Sequence, residues 1–120
     1  MANPFIHIEL HASDTAAAKK FYGELLDWGL KDEDFGGMTY TMISPGEGTG
    51  GGMMKNQAPG VPSHWLAYVQ VDDAAAAAAK AEKLGGTIVQ PKTDLPSGAS
   101  YAVITDPVGA AVGLLQQGAS

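Results

Sequence analysis

The chain repeats itself, and this repeat limits its fold more than any other feature. Shifting the sequence by 59 residues lays His7 on Leu66, Glu9 on Tyr68, Leu10 on Val69 and Asp14 on Asp73. Under the same shift Ala17 falls on Ala76 and Leu25 on Leu84. A shift of 61 then aligns Tyr40 with Tyr101, Ile43 with Ile104 and Gly52 with Gly113, without a gap from Tyr40 to Met54. Two extra residues between the helix and the third strand account for the change of offset. A chain of 120 residues is short for two ordinary domains and comfortable for one. The expectation is a single domain over 1–120 made of two modules, about 4–57 and about 63–117, joined by the Pro/Gly segment Gln57 to Pro62.

Each module reads as β-α-β-β-β. From Phe5 to Ala12, Ile6, Ile8 and Leu10 alternate with His7, Glu9 and His11, the two-residue period of a half-buried strand. Ser13-Asp14 supplies cap oxygens for a helix to about Asp27, with Ala17, Ala18, Phe21, Leu25 and Leu26 as its apolar stripe. A short strand near Leu30, another over Met38 to Ser44 and a third over Gly52 to Asn56 complete the module. In the second copy, Trp65 to Val71 is a strand and Asp72-Asp73 caps an alanine-rich helix that stops at Leu84-Gly85-Gly86. Strands follow near Thr87 to Pro91, Tyr101 to Thr105 and Ala111 to Gln116. The class is α+β.

Composition excludes several functions. A net charge of −6 and no Lys/Arg cluster leave no electrostatic footprint for nucleic acid or anionic membrane. With no cysteine, thiolate catalysis, thiolate metal sites and disulfides are all absent, and His, Asp, Glu and hydroxyls must carry any chemistry. The N-terminus reaches Glu9 before any apolar run long enough for a signal peptide, and Ala74 to Ala79 is far short of a membrane span. A cytoplasmic location is the expectation.

His7, Glu9 and His11 form a His-x-Glu-x-His row on one strand face, spaced by about 6.5–7 Å. Such a row is either the wetter face of a strand or a site. As a site it could hold a divalent metal, or use Glu9 as a general base beside an imidazole. Leu66, Tyr68 and Gln70 should share one face of their strand, with Trp65, Ala67, Val69 and Val71 toward the helices. The run Gly46 to Gly52 is followed by no Lys-Ser/Thr pair and no helix, so it fails as a phosphate loop. It reads as a turn whose small residues widen a cleft, with Glu47 and Thr49 exposed. Among Met38, Met42, Met53 and Met54, core filling is the default, and one of Met53 and Met54 should face a ligand cleft.

Three segments resemble the vicinal oxygen chelate superfamily, which includes glyoxalase I, extradiol dioxygenases and the bleomycin-resistance proteins. They are His7-Ile8-Glu9-Leu10 followed by Asp14, Lys20-Phe21-Tyr22-Gly23-Glu24-Leu25-Leu26, and Asp106-Pro107-Val108-Gly109 before a final apolar strand. The resemblance implies two βαβββ modules whose curved sheets surround a cleft. It also implies, in metal-dependent members, four ligands from the first and last strands of each module. His7 matches the first of these positions. Leu66, Gly113 and Gly52 or its neighbour Met53 stand at the other three and are not ligands for a hard or borderline divalent cation. His64, two residues before Leu66, is a candidate replacement whose reach into the cleft is open.

The leading expectation is therefore a glyoxalase/bleomycin-resistance-like small-molecule-binding protein with a degenerate, metal-free site and no cofactor. Its candidate ligand contacts are His7, Glu9, His11, Met54, Tyr68 and Tyr101, with Glu9 the candidate catalytic group. The alternative is a metal-dependent lyase, isomerase or dioxygenase that uses His7. A third reading is an interaction module with no small ligand. A homodimer is expected, because the linker and the open sheet edges allow modules to pair within one chain or between two.

Overall fold

The computed structural model describes residues 2–35, 37–57 and 60–118, so Ala58 and Pro59 of the linker lie outside the described residues. The elements run β1 (Phe5–Ala12), α1 (Thr15–Leu25), β2 (Gly29–Phe35), β3 (Met38–Ser44), β4 (Gly51–Lys55), β5 (His64–Gln70), α2 (Ala74–Lys83), β6 (Thr87–Asp94), β7 (Ser100–Thr105) and β8 (Ala111–Gln116). This is βαβββ twice, in the α+β class. Contacts divide the chain into two compact units, His7–Leu66 and Met1–Ile6 with Ala67–Ser120. Among the described residues no helix is long and apolar enough to cross a membrane.

In the His7–Leu66 unit the strand order is β2-β3-β4-β1. The pairs β2–β3 and β3–β4 are antiparallel, whereas β1 runs parallel to β4, with Ile8 opposite Gly51, Glu9 opposite Gly52 and His11 opposite Met54. The second unit repeats the pattern. There β5 runs parallel to β8, with Tyr68 opposite Gly113, and β8, β7 and β6 pair antiparallel. Parallel neighbours need a crossover, and each helix supplies it. Strand β6 pairs only with β7 within its unit, and its register shifts on either side of Gln90. An edge strand with bulges tolerates Pro91, so β6 runs past the expected stop at that proline.

The termini of the modules follow hydrogen bonds. Gln70 donates its backbone N–H to the Pro4 carbonyl at 2.9 Å, and Asn3 donates its side-chain amide to the Gln70 carbonyl at 2.8 Å, which places the N-terminal arm in the second unit. Ser63, at the head of β5, accepts from the Ser13 N–H at 2.9 Å in the first.

Both helices start as expected, with Asp14 accepting from the Ala17 N–H and Asp73 from the Ala76 N–H. Helix α2 ends on Gly85 at φ +100°, with the Gly86 N–H bonded back to the Ala81 carbonyl. Helix α1 ends earlier than Asp27, at Leu25, where Leu26 becomes extended. Its apolar stripe also differs from expectation. Ala18 and Tyr22 pack on the core of Leu10, Ala12, Ile43 and Met53, while Phe21 and Leu25 are 57% and 61% exposed. Tyr22 sets the rotation, since its ring stacks on Trp28 and meets Trp65 edge-on, both at 5.5 Å. Lys19 secures the same face through Asp32 at 3.0 Å. A hydrogen bond from the buried Thr41 hydroxyl, and then Lys19, hold the Asp32 carboxyl below its usual range.

The second core joins Ala78, Ala102, Ile104 and Leu114. Ile43 and Ile104, and Met53 and Leu114, are partners in the 61-residue register, so the repeat preserves the buried positions. Met38 and Met42 lie at the surface, contrary to core filling.

Gly51 sits opposite Ile8, and a Cβ there would overlap the Ile8 carbonyl oxygen. Gly51→Ala should therefore cost about 1–3 kcal/mol of stability, read as a lower midpoint in urea denaturation. An unchanged midpoint would show that the strands separate freely at this point.

Candidate functional site

Side chains on β1 do not bury in simple alternation. Glu9 is 8% exposed, while Ile8 is 36% exposed and opens toward Trp28 and Trp65. A carboxylate so buried requires partners, and three side chains supply a connected set. The Tyr40 hydroxyl donates to Glu9 Oε2 at 2.7 Å. His7 Nε2 lies 2.7 Å from the Tyr40 hydroxyl, and His11 Nε2 lies 2.6 Å from Glu9 Oε1. With Glu9 ionised, one assignment satisfies every bond: His7 donates to Tyr40, Tyr40 to Glu9 and His11 to Glu9.

Gly52 makes this possible. It sits opposite Glu9, and a Cβ there would collide with the Tyr40 phenol. The glycine does not widen a cleft, as its small size suggested; the volume it leaves is filled by a tyrosine ring from β3. Glu47 and Thr49 in the preceding turn are exposed, as expected.

Two more groups border the row. The His64 ring centroid is 4.9 Å from that of His11, and its Nδ1 donates to the Pro62 carbonyl at 2.9 Å, so His64 does reach this part of the unit. Met54 is partly buried opposite His11, while Met53 is fully buried in the core, which divides the two methionines as alternation predicts. The structure thus brings together His7, Glu9, His11 and Met54, and adds Tyr40 and His64. Tyr40 entered the sequence reading only as a repeat marker; its role depends on a β3–β4 register that no local pattern encodes.

The other unit holds Tyr68 and Tyr101. Tyr68 is buried, its ring lying where a Cβ on Gly113 would be, and it meets Tyr101 edge-on at 6.3 Å. The glycines aligned by the repeat therefore do the same work, each making room for a tyrosine. A hollow of about 250 Å³, lined by Ile8, Trp28, Ile43, Pro45, Thr49 and Trp65, holds none of the polar row.

The donor set does not fit the four-ligand divalent site that the resemblance implies. Leu66 is buried hydrocarbon, Gly52 and Gly113 have no side chain, and Met53 is enclosed in the core. Among the described residues no three or more His, Asp or Glu side chains are grouped to hold a metal ion.

Burial lowers the pKa of His7, and the Glu9 carboxylate opposes the shift without cancelling it. The unfolded chain, with an ordinary histidine value of about 6.5, therefore takes up this proton first as pH falls. The stability that neutral His7 contributes is complete above about 6.5 and is lost as pH falls through the lower folded-state value. Between pH 7.5 and 5 the wild type should lose more stability than His7→Gln, measured by urea denaturation at each pH. Parallel curves would remove His7 from the pH dependence.

Residues 5–114 match the Glyoxalase/Bleomycin resistance protein/Dioxygenase superfamily. Among curated relatives, CFP32 of Mycobacterium tuberculosis, which carries a provisional glyoxylase name, is 42% identical over 80 residues, covering 67% of this chain and 31% of that protein. The anthracycline biosynthesis protein DnrV of Streptomyces peucetius is 29% identical over 92% of this chain and 46% of its own length. The chain thus spans 31% to 46% of the length of these curated relatives. Among solved structures, a hypothetical protein from Bacillus halodurans superposes with a TM-score of 0.73 at 14% identity, covering 100% of this chain and 98% of the other. Methylmalonyl-CoA epimerase from Mycobacterium tuberculosis gives 0.69 at 16% identity, covering 97% and 88%. At these identities the structures speak for the fold, and the sequence match speaks for the family: this chain belongs to the glyoxalase/bleomycin resistance/dioxygenase superfamily.

Proposed function

We propose that this chain binds a small organic molecule at the row His7, Glu9, His11 and Tyr40, without a metal ion. The observation that carries this reading is the way Glu9 is held. Both of its oxygens already accept hydrogen bonds from side chains within 2.7 Å, so the carboxylate orients a polar group. A carboxylate with its neighbours fixed in advance loses little freedom when a ligand arrives. A structural neighbour of the same fold, methylmalonyl-CoA epimerase in complex with methylmalonyl-CoA, supports a small-molecule role. Met54 is a further ligand contact in this reading, and Tyr68 and Tyr101 are candidate ligand contacts within the second unit. The net charge of −6 argues against nucleic acid and anionic membranes as partners, and a cytoplasmic protein is the corresponding setting.

A second reading, a metal-dependent lyase, isomerase or dioxygenase, draws on the nearness of His11, His64 and Glu9. Elemental analysis of purified protein separates the two. The binding reading expects metal far below one equivalent, no thermal shift with divalent cations, and a shift with some members of a panel of small aromatic and acyl compounds. Against a compound so found, Glu9→Gln should weaken affinity by about ten- to a hundredfold, the worth of one charge-assisted hydrogen bond of about 1.5–3 kcal/mol. One equivalent of bound metal, or unchanged affinity in Glu9→Gln, would defeat it.

The same reading includes a homodimer, supported by the exposed Phe21 and Leu25 of α1 and Leu26 just past its end. Sedimentation equilibrium at micromolar concentration should give twice 12.3 kDa; the monomer mass alone would exclude it.

A further inference from the structure

His11 and Glu9 form a pair whose direction is set by their neighbours. With Glu9 ionised, both its oxygens are acceptors: Oε2 takes the Tyr40 hydroxyl proton, and His11 Nε2 at 2.6 Å is the donor to Oε1. A neutral imidazole carries one ring proton, so with that proton on Nε2 the Nδ1 atom holds a lone pair. Among the described residues no hydrogen bond to Nδ1 is made, and the His11 ring lies 4.9 Å from that of His64, centroid to centroid. Among the described residues no fully buried side-chain nitrogen or oxygen lacks a partner, so Nδ1 is not fully enclosed. The His11 side chain is 20% exposed, while Glu9 behind it is 11% exposed. A carboxylate that holds one imidazole nitrogen and leaves the other facing water is the arrangement of an oriented general base.

We propose that His11 is a catalytic base for the hydrolysis of small activated carboxylic esters, with Glu9 and Tyr40 as positioning residues. This uses the location of the binding reading and goes beyond it in function. Nδ1 removes a proton from water as the water oxygen bonds to the ester carbonyl carbon. The bond from that carbon to the alcohol oxygen then breaks, and the imidazolium returns the proton to the departing alcohol. Ester and water give acid and alcohol, with no change in oxidation state. Water is the co-reactant that a solvent-open base meets without any further group. An ester with a good leaving group needs no acid stronger than the imidazolium formed in the first step. Tyr40 enters by holding Oε2, so that Oε1 stays aimed at His11, and Gly52 enters by leaving space for Tyr40.

The test uses the full chain with p-nitrophenyl acetate in the presence of EDTA, followed beyond the first equivalent of product. The wild type should turn over at least about tenfold faster than His11→Gln, the lower edge of what a positioned base contributes. Glu9→Gln should lose a comparable factor. Nitrogen-15 NMR of the histidine rings should find the His11 proton on Nε2 in the wild type and divided between the two nitrogens in Glu9→Gln, a change that a purely structural carboxylate would not produce. If Glu9→Gln does not fold, the wild-type spectrum and the His11→Gln rate decide the matter. Equal rates for wild type and His11→Gln, or a wild-type proton on Nδ1, would overturn the proposal. Ligand binding without turnover overturns this inference and leaves the binding reading standing. EDTA-resistant turnover by a protein that binds no compound of the panel supports this inference and defeats the binding reading.

Discussion

A carboxylate removed from water must be hydrogen-bonded, and Glu9, at 8% exposure on β1, imposes that condition on everything around it. It takes one bond from Tyr40 on β3 and another from His11 on its own strand. For the Tyr40 phenol to arrive from two strands away, the intervening position on β4 must have no side chain, and Gly52 stands there. Each charge-assisted bond is worth about 1.5–3 kcal/mol, and losing a partner would leave a buried charge exposed to its own desolvation penalty. The register of three strands and the composition of β4 are thus tied to one acidic side chain.

The repeat shows how one framework carries two different interiors. In both units the first strand pairs parallel with the last, and in both a glycine on the last strand lies beneath a tyrosine. The first unit uses the space for a polar chain of two imidazoles, a phenol and a carboxylate. The second places Tyr68 where Glu9 would stand and meets it with Tyr101, leaving an aromatic pair. The two units share this backbone geometry because strand pairing here depends on small residues at close approach. Side-chain chemistry diverged because a pleated face accepts any group that satisfies its neighbours.

Much of the fold was legible in the sequence. The strand periods, the cap residues Asp14 and Asp73, the Gly85-Gly86 stop and the order βαβββ are local, and local patterns encode them. The face of α1 was not. Phe21, Leu25 and Leu26 have helical spacing and are exposed, because Tyr22 turns toward Trp28 and Trp65, one of which arrives from 43 residues downstream. An apolar stripe reports that a helix is amphipathic; which side meets the core depends on partners that the stripe does not contain.

The row His7, Glu9 and His11 was visible as a pattern of period two, and the resemblance, laid on the register of the repeat, implied non-ligands at Leu66, Gly113 and Gly52 or Met53. The sequence by itself determined which chemistry-bearing groups share the face of β1, since alternation along one strand is a property of the backbone. Only the tertiary structure decided that Glu9 is buried, that Tyr40 and His64 join it, and that the glycines of β4 and β8 are filled by tyrosines. Those facts depend on register between strands distant in sequence, where a shift of one residue would turn every side chain to the opposite face.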